Sequence, residues 1–332
     1  MSKIRIGLMG FGETNRHLYR LCLNDDRFEI VAISDIGRPE VLHYLLRAEV
    51  KNSVNVELEG NNLVSSNGKA RMLPGRLPGD VPWDAFGVDF VVDGTGKFLK
   101  RSEIEGHIKA GAGRVIIATL PAGEIDRVAI MGVNDHTIHP NDRIISVGSA
   151  TTNASALMIK ILDEAFGVDF AMLLTIHNYT ADQPLRDVVG NDFRRSRSAA
   201  QNIIPNVSPA PAWIEQILPQ MKGRVEGSAL NVPIPAGSLL DLSTFLRKEG
   251  VELAHVHAAV EAAAAKIPHI IEVTEDEIVS VDIIGNTHSI IYDKKVAMRS
   301  SGRIVKTISW YHTSLAVAAR IKDLITAYTK II

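Results

Sequence analysis

The stretch IRIGLMGFGETNRHLYRLCLNDDRFEIVAISD, residues 4–35, decides the fold. Its opening, Ile4 to Met9, is a short apolar run that reads as a buried strand. Gly10-Phe11-Gly12 follows as a tight turn, and Thr14 to Leu23 places Leu18, Leu21 and Leu23 at helical spacing. A second apolar run, Phe28 to Ile33, ends in Ser34-Asp35. Strand, glycine turn, helix and strand make a βαβ unit of the length of a mononucleotide-binding half-domain.

Working outward, strand patterns at Phe90 to Val92 and Arg114 to Ile117 flank a helical stretch from Arg101 to Ala110. That alternation implies a parallel sheet. After about residue 149 the pattern changes. A helix from Thr151 to Ala165 leads into strand-like runs at Asp169 to Ile176, Val225 to Val232, Leu239 to Phe245 and Arg303 to Trp310. Strands now dominate, as in an α+β domain. Ser314 to Tyr328 has the spacing of a last helix, and the polar stretch from Thr180 to Asn202, with Arg194, Arg195 and Arg197, reads as a long ordered loop. The expected fold class is therefore α/β: an N-terminal Rossmann-type domain and an α+β domain with a large mixed or antiparallel sheet.

A chain of 332 residues, 46% hydrophobic, is long enough for two buried cores. A net charge of -2 gives no whole-molecule field to attract nucleic acid or an acidic membrane. One cysteine, Cys22, rules out an intrachain disulfide and a thiolate metal cluster, and suits a reducing cytoplasm. The N-terminus runs straight into the first strand with no cleavable signal, and no apolar run reaches membrane-spanning length, so a cytoplasmic protein is expected. No metal site is expected either: His255 and His257 lie two apart on a helical stretch and face different ways, and His136 and His139 read as solvated.

A glycine turn between strand and helix lets backbone N–H groups approach a pyrophosphate, whose charge the helix N-terminus favours. Gly10 and Gly12 supply two of the three glycines of that fingerprint, but Asn15 occupies the third position and Glu13 sets a carboxylate at the helix start. Asp35 stands where a carboxylate accepts both ribose hydroxyls and repels a 2′-phosphate, which favours NAD over NADP.

Ser149-Ala150-Thr151-Thr152-Asn153 and Thr175-Ile176-His177-Asn178-Tyr179-Thr180 resemble the active site of phosphorylating glyceraldehyde-3-phosphate dehydrogenases. Ordered matches continue along the chain: Gly10-Phe11-Gly12, Gly94-Thr95-Gly96-Lys97-Phe98 (S-T-G-x-F in the family), Met131-Gly132-Val133-Asn134, Ala199 to Pro205, Asp282 to Ser289, and Trp310-Tyr311. The resemblance implies an NAD-binding domain of residues 1–149 joined by the C-terminal helix 314–332, a catalytic domain of residues 150–313, and a homotetramer. For the cofactor it implies Gly10, Phe11, Gly12, Glu13, Thr14, Asp35, Arg76, Thr95, Gly96, Thr119 and Thr313. For substrate and phosphate it implies Ser149, Thr151, Thr180, Asp182, Ser208 and Asn231.

In that family a cysteine thiolate attacks an aldehyde, the adduct gives hydride to nicotinamide, and inorganic phosphate releases the acyl group. A helix N-terminus and a neighbouring imidazole hold the thiol ionised. Here Ala150 stands at the nucleophile position, and a methyl group cannot attack a carbonyl. His177 matches the base. Asn231 replaces the phosphate-binding arginine and cannot form a bidentate fork. Ser208-Pro209 replaces a T-G pair and removes a backbone donor. Thr313 stands where an asparagine orients the nicotinamide carboxamide, with Val317 in place of a tyrosine beside it. The expectation is a non-catalytic paralogue that binds a metabolite or a protein partner. The alternative is an NAD-dependent aldehyde dehydrogenase carrying an engineered cysteine-to-alanine change, and a serine-based reaction through Ser149 and His177 is a third reading.

Overall fold

The computed structural model describes residues 3–49, 55–300 and 302–332. The chain divides into two compact units: residues 1–129, 135–148 and 317–332 form the first, and residues 130–134 and 149–316 the second.

The first unit runs β1 (Ile4–Met9), α1 (Glu13–Leu23), β2 (Phe28–Asp35), α2 (Pro39–Ala48), β3 (Glu57–Glu59), β4 (Asn62–Ser65), β5 (Gly68–Pro74), β6 (Phe90–Asp93), α3 (Arg101–Lys109), β7 (Arg114–Ile117), β8 (Arg127–Val128) and β9 (Ile144–Ser146). These strands form one sheet in the order β3-β4-β5-β2-β1-β6-β7-β9-β8. From β5 to β8 every neighbouring pair is parallel, and only β3 and β4 add antiparallel hairpins at one edge. Sequence periodicity marked β1, α1, β2, β6, α3 and β7, and α2, β3 to β5, β8 and β9 went unmarked. β1 lies between β2 and β6, so the chain reverses its direction of winding there. The carboxyl ends of β1 and β6 are thus the switch point at which open α/β sheets bind ligands, and they carry Gly10 and Gly94.

The second unit begins with α4 (Ala150–Phe166) and continues through β10 (Val168–Asn178), β11 (Ile204–Val207), α5 (Ala210–Ile217), β12 (Val225–Val232), β13 (Ser238–Leu246), α6 (Leu253–Lys266), β14 (Ile271–Thr274), β15 (Ile290–Asp293), β16 (Met298–Arg299) and β17 (Ile304–Tyr311). The last helix, α7 (Thr313–Tyr328), starts in this unit and ends in the first. The sheet order is β11-β12-β10-β13-β17-β15-β14, with β16 on β17. It is mixed: β10 with β12 and β14 with β15 are parallel, the rest antiparallel. β13 alternates strictly between buried and partly exposed residues, as a strand with one face against a core must. α4 lies over β10 and β13, almost entirely buried, so its first residues are fixed by core packing. Between Asn178 and Ile204 the basic segment is a loop, ordered by Asp192, which accepts from the backbone N–H of Arg194 and Arg195, and by Asp187, which pairs with Arg197 at 2.9 Å. No helix among the described residues is long and apolar enough to cross a membrane.

Candidate functional site

In the first unit the glycine turn is built around Asn15. Gly10 has φ +76°, and a Cβ there would come within 2.9 Å of the Thr95 side chain, so both the backbone conformation and the close approach of the two strand ends favour glycine. Asn15 is fully buried. Its Nδ2 donates to the carbonyl oxygens of Gly10 at 2.7 Å, Met9 at 3.2 Å and Val92 at 3.3 Å, tying α1 to the ends of β1 and β6. Room for this side chain comes from Gly94, where a Cβ would fall 2.7 Å from Nδ2. The family pattern has serine at that position. The missing third glycine is therefore offset by a second glycine across the turn.

Asp35 closes the other side. Its Oδ2 accepts from the Phe11 N–H at 2.6 Å and its Oδ1 from the Gly37 N–H at 2.7 Å, which leaves lone pairs on both oxygens for vicinal hydroxyls. A cavity of about 300 Å³ beside it is lined by Asp35, Ile36, Pro39, Leu42 and Leu73 among others. A carboxylate at the mouth of an apolar slot suits the ribose and base of an adenosine group. Gly12 caps α1, and a Cβ there would meet nothing within 4 Å. Glu13 is exposed on the first turn. Thr95 is held by Asp93, which accepts from its N–H at 2.9 Å and its hydroxyl at 2.6 Å. Asp93 in turn meets buried His107 at 3.2 Å, and the Trp83 indole donates to His107 Nδ1 at 3.1 Å. Thr119 accepts the Ser146 hydroxyl at its carbonyl, and Arg76 is exposed with its backbone N–H on Asp80.

In the second unit Ser149 is the N-cap of α4: its Oγ accepts from the Thr152 N–H at 3.1 Å and pairs with the Thr152 hydroxyl at 2.8 Å. Ala150 is the first helical residue and is buried. Thr151 turns inward to the Tyr311 hydroxyl at 2.9 Å. Burial pushes that phenol up to about 12, so it stays protonated and can serve as a donor. The hydroxyls flanking Ala150 thus bond within the protein, one at the helix start and one to Tyr311.

His177 lies near the end of β10, in register with Asn231 on β12. Its Nδ1 donates to the Asn178 carbonyl at 2.6 Å, which fixes the neutral tautomer with a lone pair on Nε2. Burial lowers its pKa, opposed by that carbonyl bond and by the charge of Asp182. Asn231 directs its amide inward: Nδ2 donates to the same Asn178 carbonyl at 3.4 Å, and Oδ1 accepts from Asn206 at 3.3 Å. The Thr180 hydroxyl donates to Asp182, whose other oxygen holds Arg195. Just ahead of α5, the Ser208 hydroxyl oxygen accepts from the Ala210 N–H at 3.3 Å, and Pro209 is the N-cap. The Thr313 hydroxyl donates to Asn178 Oδ1 at 2.7 Å, beside Ser238.

Sequence reasoning placed His177, Thr180, Asp182 and Asn231 but did not single out Asn178 and Asn206, which bond His177 and Asn231, nor Ser238 and Tyr311, which meet Asn178 and Thr151. Trp310-Tyr311 was visible as a motif, whereas the link from Asn206 to Asn231 depends on strand register and left no local signal. Chemically, the group offers a neutral base, several hydroxyls and one ion pair, with no thiol.

The chain matches two family models: glyceraldehyde 3-phosphate dehydrogenase, NAD binding domain, over residues 4–101, and glyceraldehyde 3-phosphate dehydrogenase, C-terminal domain, over residues 149–313. It is 37% identical over 326 residues to glyceraldehyde-3-phosphate dehydrogenase 1 of Bacillus subtilis (strain 168), with 97% of each chain covered. Glyceraldehyde-3-phosphate dehydrogenase of Streptomyces coelicolor is 38% identical over 328 residues, and that of Geobacillus stearothermophilus 36% over 326, again with 97% of both chains covered.

Proposed function

Because the chain belongs to the glyceraldehyde-3-phosphate dehydrogenase family, we propose that it is a non-catalytic member that keeps the family's NAD-binding unit without aldehyde oxidation. The observation that carries this reading is Ala150 at the first position of α4, where the family's nucleophile would stand. His177 retains the tautomer of a proton acceptor, but a base without a thiol beside it makes no thiohemiacetal. Four further departures, at Asn15, Ser208-Pro209, Asn231 and Thr313, support natural divergence, because one engineered change would leave them unexplained.

The second reading, an NAD-dependent aldehyde dehydrogenase in which cysteine was changed to alanine, is favoured by the intact helix start. With Ser149 capping α4, a thiol restored at position 150 would sit at the positive end of a 17-residue helix. One experiment separates them: titrate the chain with NAD by calorimetry, then assay Ala150→Cys for NADH formation across a panel of small aldehydes. NAD binding with no turnover supports the non-catalytic reading. Turnover in Ala150→Cys overturns it in favour of the second.

The assembly that goes with this reading is a homotetramer in the cytoplasm. Phe170, Met172 and Val207 are each more than 60% exposed on the sheet of the second unit, which suits a face covered by another copy. A monomeric mass in sedimentation equilibrium would end that part of the proposal.

A further inference from the structure

The first unit carries a second cavity of about 300 Å³, a groove between α3 and the residues that lead into β8 and β9. The glycine turn stands at the carboxyl ends of β1 and β6, whereas this groove meets the amino ends of β8 and β9 in the same run of parallel strands. Ile108, half-buried on α3, and Ile144, buried at the start of β9, give it an apolar wall.

The charges around the groove divide into a neutralised end and a cationic end. Arg101 pairs with Glu105 at 3.1 Å and with Asp126 at 2.7 Å. The second oxygen of Asp126 accepts from the N–H groups of Arg143 at 2.8 Å and Ile144 at 2.9 Å, so donors already hold both oxygens of this carboxylate. At the other end the Arg143 guanidinium is fixed by carbonyl oxygens: Nε donates to Gly113 at 3.3 Å and Nη2 to Ala112 at 3.2 Å. Those bonds orient the guanidinium and leave its charge without a counter-ion among the described residues. Lys109, the last residue of α3, has no side-chain hydrogen bond or ion pair among the described residues. Arg114 brings no relief, being itself a cation held by the carbonyl oxygens of Asp142 and Pro140. Burial lowers its pKa, and the like charge of Arg143 adds to that. The Asp142 carboxylate is turned to Arg127 at 3.1 Å and to the Tyr328 hydroxyl at 2.8 Å.

Cations without counter-ions beside an apolar wall call for a ligand with a negative group and an apolar body. The planar fork of a guanidinium matches a carboxylate, and one already oriented by the protein loses less freedom on binding. Inorganic phosphate would leave the isoleucines in water, and no aromatic ring lines the groove for a nucleobase to stack on. We propose that the groove between α3 and β9 is a binding site for a small organic carboxylate with an apolar body, the carboxylate on Arg143 and Lys109 and the body against Ile108 and Ile144. The site is separate from the glycine turn, so the proposal stands whether or not the chain oxidises an aldehyde.

The test is a methyl NMR titration of the full chain, followed at Ile108 and Ile144, with benzoate, benzamide and inorganic phosphate as probes. Benzoate should shift both residues and bind about tenfold more tightly than benzamide, which has the same ring without the charge. Phosphate should neither shift them nor displace benzoate. Arg143→Gln should weaken benzoate about tenfold, and Lys109→Gln about threefold, as suits a more flexible and solvated cation. Saturating NAD should leave the benzoate affinity unchanged. Both substituted side chains are exposed, and Lys109→Gln, at a helix end where the side chain has no partner, decides the matter if Arg143→Gln does not fold. No shift at the two isoleucines, equal binding of benzamide, displacement by phosphate or by NAD, or an affinity untouched by the substitutions would each overturn the proposal.

Discussion

The glycine turn of the first unit and the start of α4 in the second have each lost a residue that their family pattern calls for, with opposite consequences. At the turn, Asn15 replaces a glycine, and the structure largely absorbs it: Gly94 opens the space and three carbonyl oxygens take the Nδ2 group, while Oδ1 is buried without a hydrogen-bond partner among the described residues. At α4, under the proposed reading, Ala150 stands at the nucleophile position between a Ser149 cap and a Thr151 hydroxyl turned to Tyr311, and it offers no reactive atom there. A packing requirement can be met by any set of atoms that fills the space and satisfies the polar groups. A nucleophile must be one reactive atom at one place.

Asn15→Ala gives the largest effect that would break this comparison. It removes the tie between α1 and the ends of β1 and β6, and should cost about 2 kcal/mol, a buried hydrogen-bonding side chain lost with its packing. Urea denaturation measures it, and a change below a few tenths of a kcal/mol would mean that the asparagine is tolerated and not structural.

A smaller effect comes from His177. Since burial holds its folded-state pKa below that of the unfolded chain, the unfolded chain binds more protons as acid is added. The stability due to the neutral ring is fully present above about pH 6.5 and drains away as the pH falls toward the depressed folded value. Melting temperatures of the parent chain and His177→Gln, compared at pH 7.5 and 5.5, should show the parent losing more. Equal losses would show that the ring contributes no pH dependence.

The smallest effect sharpens the comparison from the other side. Ala150→Cys adds one sulfur atom at a capped helix start and should shift stability by no more than about 1 kcal/mol, within the range of tolerated volume changes. Its denaturation curve should nearly overlay that of the parent chain. A large loss would show that the helix start has closed over position 150 and no longer has room for a thiol.

Much of the scaffold was legible in residues 4–35, because a buried parallel strand, a glycine turn and an amphipathic helix each leave a local pattern. Four of the later strands were legible too, with ends displaced by no more than a residue or two: the run read as Asp169 to Ile176 is Val168–Asn178, and that read as Leu239 to Phe245 is Ser238–Leu246. α2, α5, the strands β3 to β5 and the short strands β8, β9, β11 and β14 to β16 escaped notice, because their stability comes from what they pack against more than from a local pattern. In the candidate site, residue types and motif positions could be read, while the partners of those residues could not.

By itself the sequence determined the α/β character of the chain, its family resemblance, the absence of a thiol at position 150 and the loss of charge at position 231. Each is a matter of which atoms are present and how apolar residues repeat, and needs no coordinates. Only the tertiary structure decided that Gly94 makes room for Asn15, that Asn231 turns its amide toward Asn178 and Asn206, and that Asp182 holds both Thr180 and Arg195. Those pairings join residues up to 79 positions apart, as Gly94 and Asn15 are. Strand order, register and loop path bring them together, and a local pattern carries no record of any of the three.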